Sequence, residues 1–476
     1  MRYVGFNFDA LCRRILELCP GADSISNCKK IEGGFNRVFI FTLNDSKLIV
    51  ARLPFTLAGP SQLATSSEVA TIQYLQAKTT IPIPTILDWS NECSNAIGSE
   101  YIIMEHAEGV QLHKKWPEMA GNERVRCIDG IYRKLREMVG LKFPAFGSVN
   151  FEASLPPDCK KQPLGGGFCV GPHCAPRYWN CNTSEPRYYY NTQPNQGPWT
   201  TLNEYCDGLV DAGISRIPPN DCAAEKRALY HGSVQEHLSL LECTRSVLKE
   251  MCTHPQIQAV STPTLFHPDL HKRNIFVSED DPSKITDIID WQSVSIEPAF
   301  WYADEVPDFA IPDDSENNVC AKAFDTCSRF LTPKLSGPRL MDEDLFRPFL
   351  YGYRTWKDGV VALRHELIET TRRWNELGFA GSSPYSLPSP NELAKHEREY
   401  KLFVAAQDLK HDLSSLLNTA TDGWVPLDNW EATELAHEEV FDGMLTAVLT
   451  NKNPDHDEPV KDEGVLRSIW PYDLKT

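Results

Sequence analysis

"FHPDLHKRNIF", residues 266–276, places a histidine, a proline and an aspartate ahead of a basic pair and an asparagine, then returns at once to apolar residues. A helix cap or a strand edge accounts for one or two such side chains, not for the set. Sixteen residues past Asn274, the apolar run "ITDIIDWQ" reaches Asp290 and reads as a strand that ends on that carboxylate. Asp290 and Asn274 together offer a carboxylate and an amide carbonyl, the hard oxygen ligands that Mg²⁺ prefers. Asp269 is left to accept a proton from, or orient, an attacking hydroxyl. One Asp and one Asn at a turn are common in any loop. The strand ending in "IDW" behind them makes the pattern specific.

His267, Asp269 and Asn274 also have the H-x-D-x-x-x-x-N spacing of a protein-kinase catalytic loop. "HPDLHKRNIFV…IIDWQ" resembles the "HGDLHxxNIL…IDW" core of the aminoglycoside phosphotransferase and choline kinase-like enzymes. "GGFNRVFIFTL", "IVARLP", "YIIMEHAEG", "GPHCAPRYW", "GPW" and "DGWVP" resemble the fungal "altered inheritance of mitochondria" protein 9 group, over roughly residues 30–450. The resemblance implies an α+β, bilobal protein-kinase-like fold. A small β-rich N-lobe over 1–108 precedes a large, mostly helical C-lobe over 109–476, with the catalytic loop at 264–291. It implies ATP and Mg²⁺ as cofactors, Asp269 and His267 as catalytic residues, and Asn274 and Asp290 as metal ligands. Gly33, Gly34, Arg52, Glu68, Met104 and Glu105 are the implied nucleotide-binding residues. Two positions depart from the pattern: Pro268 stands where the family usually has Gly, and Arg52 where many kinases have Lys. Neither change removes an acid or amide that a metal needs.

The N-terminal half can be read against that expectation. Residues 37–43 and 47–53 are short β-branched or aromatic runs, separated by "NDS" as in a hairpin. A helix is expected over 62–78 and a strand over 100–106. The pair Gly33-Gly34 sits before the first of these strands, where the backbone could approach phosphate oxygens, although two glycines before a strand also make an ordinary turn. Glu68, Ile72 and Leu75 fall at i, i+4 and i+7, so Glu68 lies along an apolar helical stripe. An unpaired charge there is costly, and Arg52 is the natural partner.

Further along, helical patterns are expected over 118–139, 201–252 and 341–450. Residues 151–200, rich in Gly, Pro and aromatic residues, read as an ordered insertion that packs on a helical flank or at the mouth of an acceptor cleft. The fifteen cysteines are scattered, and the group Cys159, Cys169, Cys174 and Cys181 contains no CxxC pair, so free thiols are expected rather than a zinc module. No apolar run reaches the roughly 18 residues a membrane span requires, and the N-terminal residues lack a signal peptide's apolar core. Cytosol is therefore the expected location, with mitochondria the weaker alternative. A net charge of −18 argues against a nucleic-acid partner and suits a cationic or neutral substrate, or simply a solvated acidic surface. The combined expectation is a kinase that moves a phosphoryl group from ATP to a hydroxyl of a small molecule. After Asp290 there is no "APE" and no evident activation segment, which speaks against protein substrates. The rival expectation is a catalytically weak or inactive nucleotide-binding scaffold with a mitochondrial maintenance role.

Overall fold

A computed structural model describes residues 3–183, 185–190, 193–220, 227–311, 318–420, 423–450 and 458–474. The chain divides into two compact units, Met1–Gly208 with Cys252–Asp342, and Leu209–Met251 with Glu343–Thr476.

The first unit joins an N-terminal antiparallel sheet to helices and shorter strand pairs, an α+β architecture. Helix α1 (Phe8–Leu18) precedes strands β1 (Ile25–Glu32), β2 (Asn36–Leu43) and β3 (Leu48–Pro54). Helix α2 (Leu63–Lys78) leads to β4 (Ile86–Ser90) and β5 (Tyr101–Glu105), and the five strands form a sheet in the order β1-β2-β3-β5-β4. The alternation of a strand explains the two faces. Phe39, Phe41, Ile49, Ala51 and Leu53 pack on Leu11 and Ile15 of α1. The residues of opposite parity, Val38, Ile40, Val50 and Arg52, turn to a cavity on the other side. β1 is an edge strand of mixed "ISNCKKIE", mostly exposed and without period, so it gave no strand signal. Its charged residues are what an edge requires.

Ten of the sixteen residues of α2 are buried, and its exposed residues, Gln73 and Gln76 to Lys78, are confined to its C-terminal end. Two of its hydroxyls tie it to neighbouring elements: Thr65 Oγ1 donates to Glu100, and Ser67 Oγ donates to the Val149 carbonyl at 2.8 Å.

Strand β6 (Val110–Gln111), the short helix α3 (Leu112–Lys115) and helix α4 (Gly121–Val139) follow. Cys127, Ile131 and Leu135 of α4 pack with Ile275, Val277 and Trp291 in the main core. Gly109, at φ +80°, lets the backbone pass close to Val277: a Cβ there would lie 2.2 Å from the Val277 carbonyl oxygen.

The expected insertion holds a small sheet that no alternation announced: β7 (Ser148–Phe151), β8 (Gln162–Gly165) and β9 (Phe168–Gly171), in the order β7-β9-β8. It covers α2. Phe168 meets Tyr74 edge-on at 5.4 Å, and Phe151 stacks on Trp89 at 5.7 Å. Beyond it, Tyr178 is buried 5.1 Å from Trp199, and Trp179 Nε1 donates to the His173 carbonyl at 2.7 Å.

Strands β10 (Pro263–Phe266), β11 (Ile275–Val277), β12 (Ile285–Ile288) and β13 (Ser295–Pro298) complete the unit, with β10 paired to β13 and β11 to both β12 and β6. The loops 267–274 and 289–294 therefore both cross between these two small sheets. Glu297 of β13 is buried and accepts from His173 Nε2 at 2.8 Å, Tyr205 at 2.6 Å, Ser295 and Arg177. Burial alone would raise its pKa, but Arg177 and His173 hold it down at about 2.

The second unit is helical, with Val234–Met251, Val360–Arg372, Pro390–Leu416 and Trp430–Thr450 as its long members. The "SPNE" at 389–392 is a capping box: Ser389 accepts from the Glu392 amide, and the Glu392 carboxylate accepts from the Ser389 amide at 2.8 Å. Among the described residues no helix is long and apolar enough to cross a membrane.

Tyr178 tests whether the insertion is structural packing. Truncating a buried aromatic costs about 3–5 kcal/mol, so Tyr178→Ala should lower the melting temperature of the first unit by several degrees. Unchanged melting would show that the ring contributes nothing there.

Candidate active site

A cavity of about 640 Å³ in the first unit is lined by Gly33, Gly34, Arg52, Met104, Asp269 and Asp290, with Glu105 and Asn274 also on its wall. This is the size range of small-ligand sites. The structure thus brings eight of the ten expected residues to one surface. Glu68 stands directly behind Arg52, and His267 is buried beneath the loop.

Arg52 is the centre. Its guanidinium is buried and bonds Glu68 through Nη1, then Asp290 Oδ1 through Nη2 at 3.0 Å. Burial raises the Glu68 carboxyl's affinity for a proton and Arg52 opposes it. The guanidinium keeps its proton in proteins.

The loop 267–274 is held by its own polar residues. His267 is fully buried: Nε2 donates to the Ile289 carbonyl at 2.9 Å, and Nδ1 accepts from the Asp269 amide at 3.2 Å. Burial holds its pKa below the ordinary imidazole value, consistent with a neutral ring that has one donor and one acceptor. Both nitrogens are spent on backbone, so His267 ties the Asp269 loop to the Asp290 loop. Asp269 is half exposed, and its pKa is lowered, chiefly by His271 at 3.2 Å and also by Asn274. Asn274 Nδ2 donates to both the carbonyl and the carboxylate of Asp269, at 2.9 and 3.0 Å. That leaves its Oδ1 as the atom suited to a cation.

The strand before Asp290 ends at Ile288, two residues earlier than the sequence pattern implied. Asp290 has φ +65°, a left-handed turn that lifts its carboxylate out of strand alternation. Trp291 goes inward, its Nε1 donating to the Ile288 carbonyl at 2.9 Å and its ring 4.8 Å from His267.

The donor set fits a hard divalent ion bound with a polyphosphate. Asp290 and Asn274 present oxygen ligands on one wall, as Mg²⁺ sites with one or two protein carboxylates do. A Cβ built on Gly34 meets nothing within 4 Å, so the turn leaves its backbone open to a ligand.

Sequence reasoning missed Asn36 and Gln292, whose side chains bond each other at the cavity wall, with Gln292 Oε1 also 3.4 Å from Arg52 Nη2. Neither residue type signals chemistry by itself. Only the contact across 256 positions gives them meaning.

Removing one partner of a buried ion pair typically costs about 3–5 kcal/mol, because the other charge is stranded. Arg52→Ala and Glu68→Ala should therefore each lower stability markedly in denaturant unfolding, and the double variant should lose less than the sum. Additive losses would show that the two charges do not depend on each other.

No family model matches the chain. A subtelomeric hrmA-associated cluster protein of Aspergillus fumigatus is 31% identical over 326 residues, covering 60% of this chain and 61% of that one. Altered inheritance of mitochondria protein 9, mitochondrial, of Saccharomyces cerevisiae is 24% identical over 281 residues, covering 52% of this chain and 45% of that one. These matches therefore span less than two thirds of the relatives' own length. Among solved structures, an aminoglycoside phosphotransferase of Streptomyces rimosus is 14% identical with a TM-score of 0.34, covering 74% of this chain and 99% of that one. In sequence the chain is similar to the altered inheritance of mitochondria protein 9 group, and its structural neighbours are aminoglycoside phosphotransferases.

Proposed function

We propose that the protein is an ATP- and Mg²⁺-dependent phosphotransferase acting on a hydroxyl of a small molecule. One observation carries the reading: Asp269, Asn274 and Asp290 line a single cavity with the Gly33-Gly34 turn and Arg52. In this reading Asp269, ionised and half exposed, takes or orients the acceptor's hydroxyl proton. Asn274 and Asp290 hold Mg²⁺, which when bound neutralises charge on the phosphates. Arg52 and the glycine turn orient the phosphates, and the wall at Met104 and Glu105 receives the base. Catalysis then rests on positioning and electrostatics, as phosphoryl transfer generally does. The acceptor is a small molecule, cationic or neutral given the acidic chain. Cytosol and mitochondria are both open as its location, the second carried by the relative's name.

A specific contact favours a second reading, a nucleotide-binding scaffold with little or no turnover. Asp290 is already bonded to Arg52, so a metal at that carboxylate competes with a guanidinium. The two readings part in one assay: ATP consumption with and without Mg²⁺, across amino sugars, amino alcohols and small hydroxylated metabolites. Turnover with any acceptor supports the enzyme; Mg²⁺-dependent binding with no turnover across the panel supports the scaffold.

Within the enzyme reading, Asp269→Asn should reduce turnover on the order of 10²–10⁴-fold while leaving Mg·ATP binding close to normal. Turnover within a factor of two of wild type would remove Asp269 from the role. Asp290→Ala should instead abolish the Mg²⁺ dependence of nucleotide binding. Calorimetry that finds Mg·ATP affinity unchanged would move the metal elsewhere.

A further inference from the structure

We infer that Gln292 is a positioning residue that latches the glycine turn to the Asp290 loop and thereby sets how tightly the cleft holds a nucleoside triphosphate. The inference rests on the phosphotransferase reading for its ligand, but the latch itself stands on contacts already present without one.

Three observations converge on this side chain. The first is the loop's backbone. Asp290 and Ser293 both adopt left-handed conformations, at φ +65° and +58°, and they bracket Trp291-Gln292. Such conformations are disfavoured for residues with a Cβ and persist where surrounding contacts hold them. Trp291 supplies the inward anchor through its bond to the Ile288 carbonyl. Gln292 supplies the outward one.

The second is what Gln292 grips. Its Oε1 accepts from Asn36 Nδ2 and from Arg52 Nη2. Asn36 is 8% exposed and ends the glycine turn, its carbonyl accepting from the Gly33 amide at 2.9 Å. Backbone ties the turn to the end of β3, where the Phe35 carbonyl accepts from the Phe55 amide at 2.8 Å, while a Cβ on Gly34 meets nothing within 4 Å and one on Gly33 only the Asn36 carbonyl, at 3.5 Å. The side-chain tie from the turn to the Asp290 loop is made at Asn36, through Gln292.

The third is the choice of an amide. A carboxylate at 292 would also accept from Asn36 and Arg52, but it would add a negative charge beside Asp290 where phosphates must enter. Glutamine accepts both bonds with one oxygen, stays neutral, and keeps an Nε2 donor at the cavity wall.

Two variants separate the latch from the charge. Losing a hydrogen bond of this kind is worth roughly 3- to 10-fold in an equilibrium. In Gln292→Ala, amide hydrogen exchange of residues 33–36 in the nucleotide-free protein should quicken by that factor, and Mg·ATP affinity should weaken by a similar one. Gln292→Glu should keep the exchange protection, since both bonds survive, while still weakening Mg·ATP binding. Exchange at 33–36 that stays at the wild-type rate in Gln292→Ala overturns the latch, whatever happens to affinity. Faster exchange in both variants overturns it too, because acceptance by the 292 side chain would then not be what matters. Wild-type protein that binds no nucleotide would sink the phosphotransferase reading, while the exchange measurement, run without nucleotide, still decides the latch.

Discussion

A guanidinium buried among two carboxylates and an amide is the constraint around which the first unit is arranged. Arg52 can leave water only where its donors find acceptors, because an unpaired buried charge costs far more than the fold's margin of stability. Glu68, Asp290 and Gln292 are those acceptors. They come from helix α2 and from the loop between β12 and β13, so two segments distant in sequence must converge on one strand position. Arginine suits the place better than lysine would. Its planar fork serves two carboxylates at fixed angles, whereas an ammonium is a point charge on a flexible stem.

That demand explains why α2 is so thoroughly enclosed. A helix carrying the partner of a buried cation must not rotate or slide, and polar ties along α2 prevent both: Thr65 to Glu100, and Ser67 to Val149 of β7. The insertion sheet then closes the outer side, with Phe168 on Tyr74 and Phe151 on Trp89. Farther along the insertion, the buried Glu297 receives His173 and Arg177 on the strand that follows the Asp290 loop. The insertion therefore braces both carboxylates that Arg52 needs, Glu68 through α2 and Asp290 through β13.

How much of this was legible depended on whether a residue's environment was local. The hairpin at 36–54 and helix α2 could be read because alternation and helical spacing are properties of neighbours in sequence. Asp269, Asn274 and Asp290 could be read because oxygen ligands at set spacings on a strand-flanked loop seldom serve packing alone. Arg52 and Glu68 were legible as a pair only by asking what a charge on an apolar stripe would require. Strand β1 was not legible, since an edge strand repels other strands with the charges that erase its pattern. The β7-β9-β8 sheet was hidden by its glycines and prolines, which read as loop when its strands are only four residues each. Asn36 and Gln292 were invisible because an amide acquires a role only from the partner that the fold supplies.

The charge balance at the cavity floor bears on what the cleft can accept. Of the charged residues that line it, Lys29, Arg52 and Lys114 are positive and Glu105, Asp269 and Asp290 are negative. The lysines on the cavity wall, Lys29 and Lys114, belong to β1 and α3, not to the loops that hold the carboxylates. Beside Asp269 and Asp290 a polyanion would meet like charge in a partly desolvated space, where Coulomb energies are several times their value in water. Under the proposed function, a divalent ion held by Asn274 and Asp290 would offset that charge. The same balance explains why Arg52 rests against Asp290. Its guanidinium is the only positive charge within hydrogen-bonding reach of that carboxylate among the described residues.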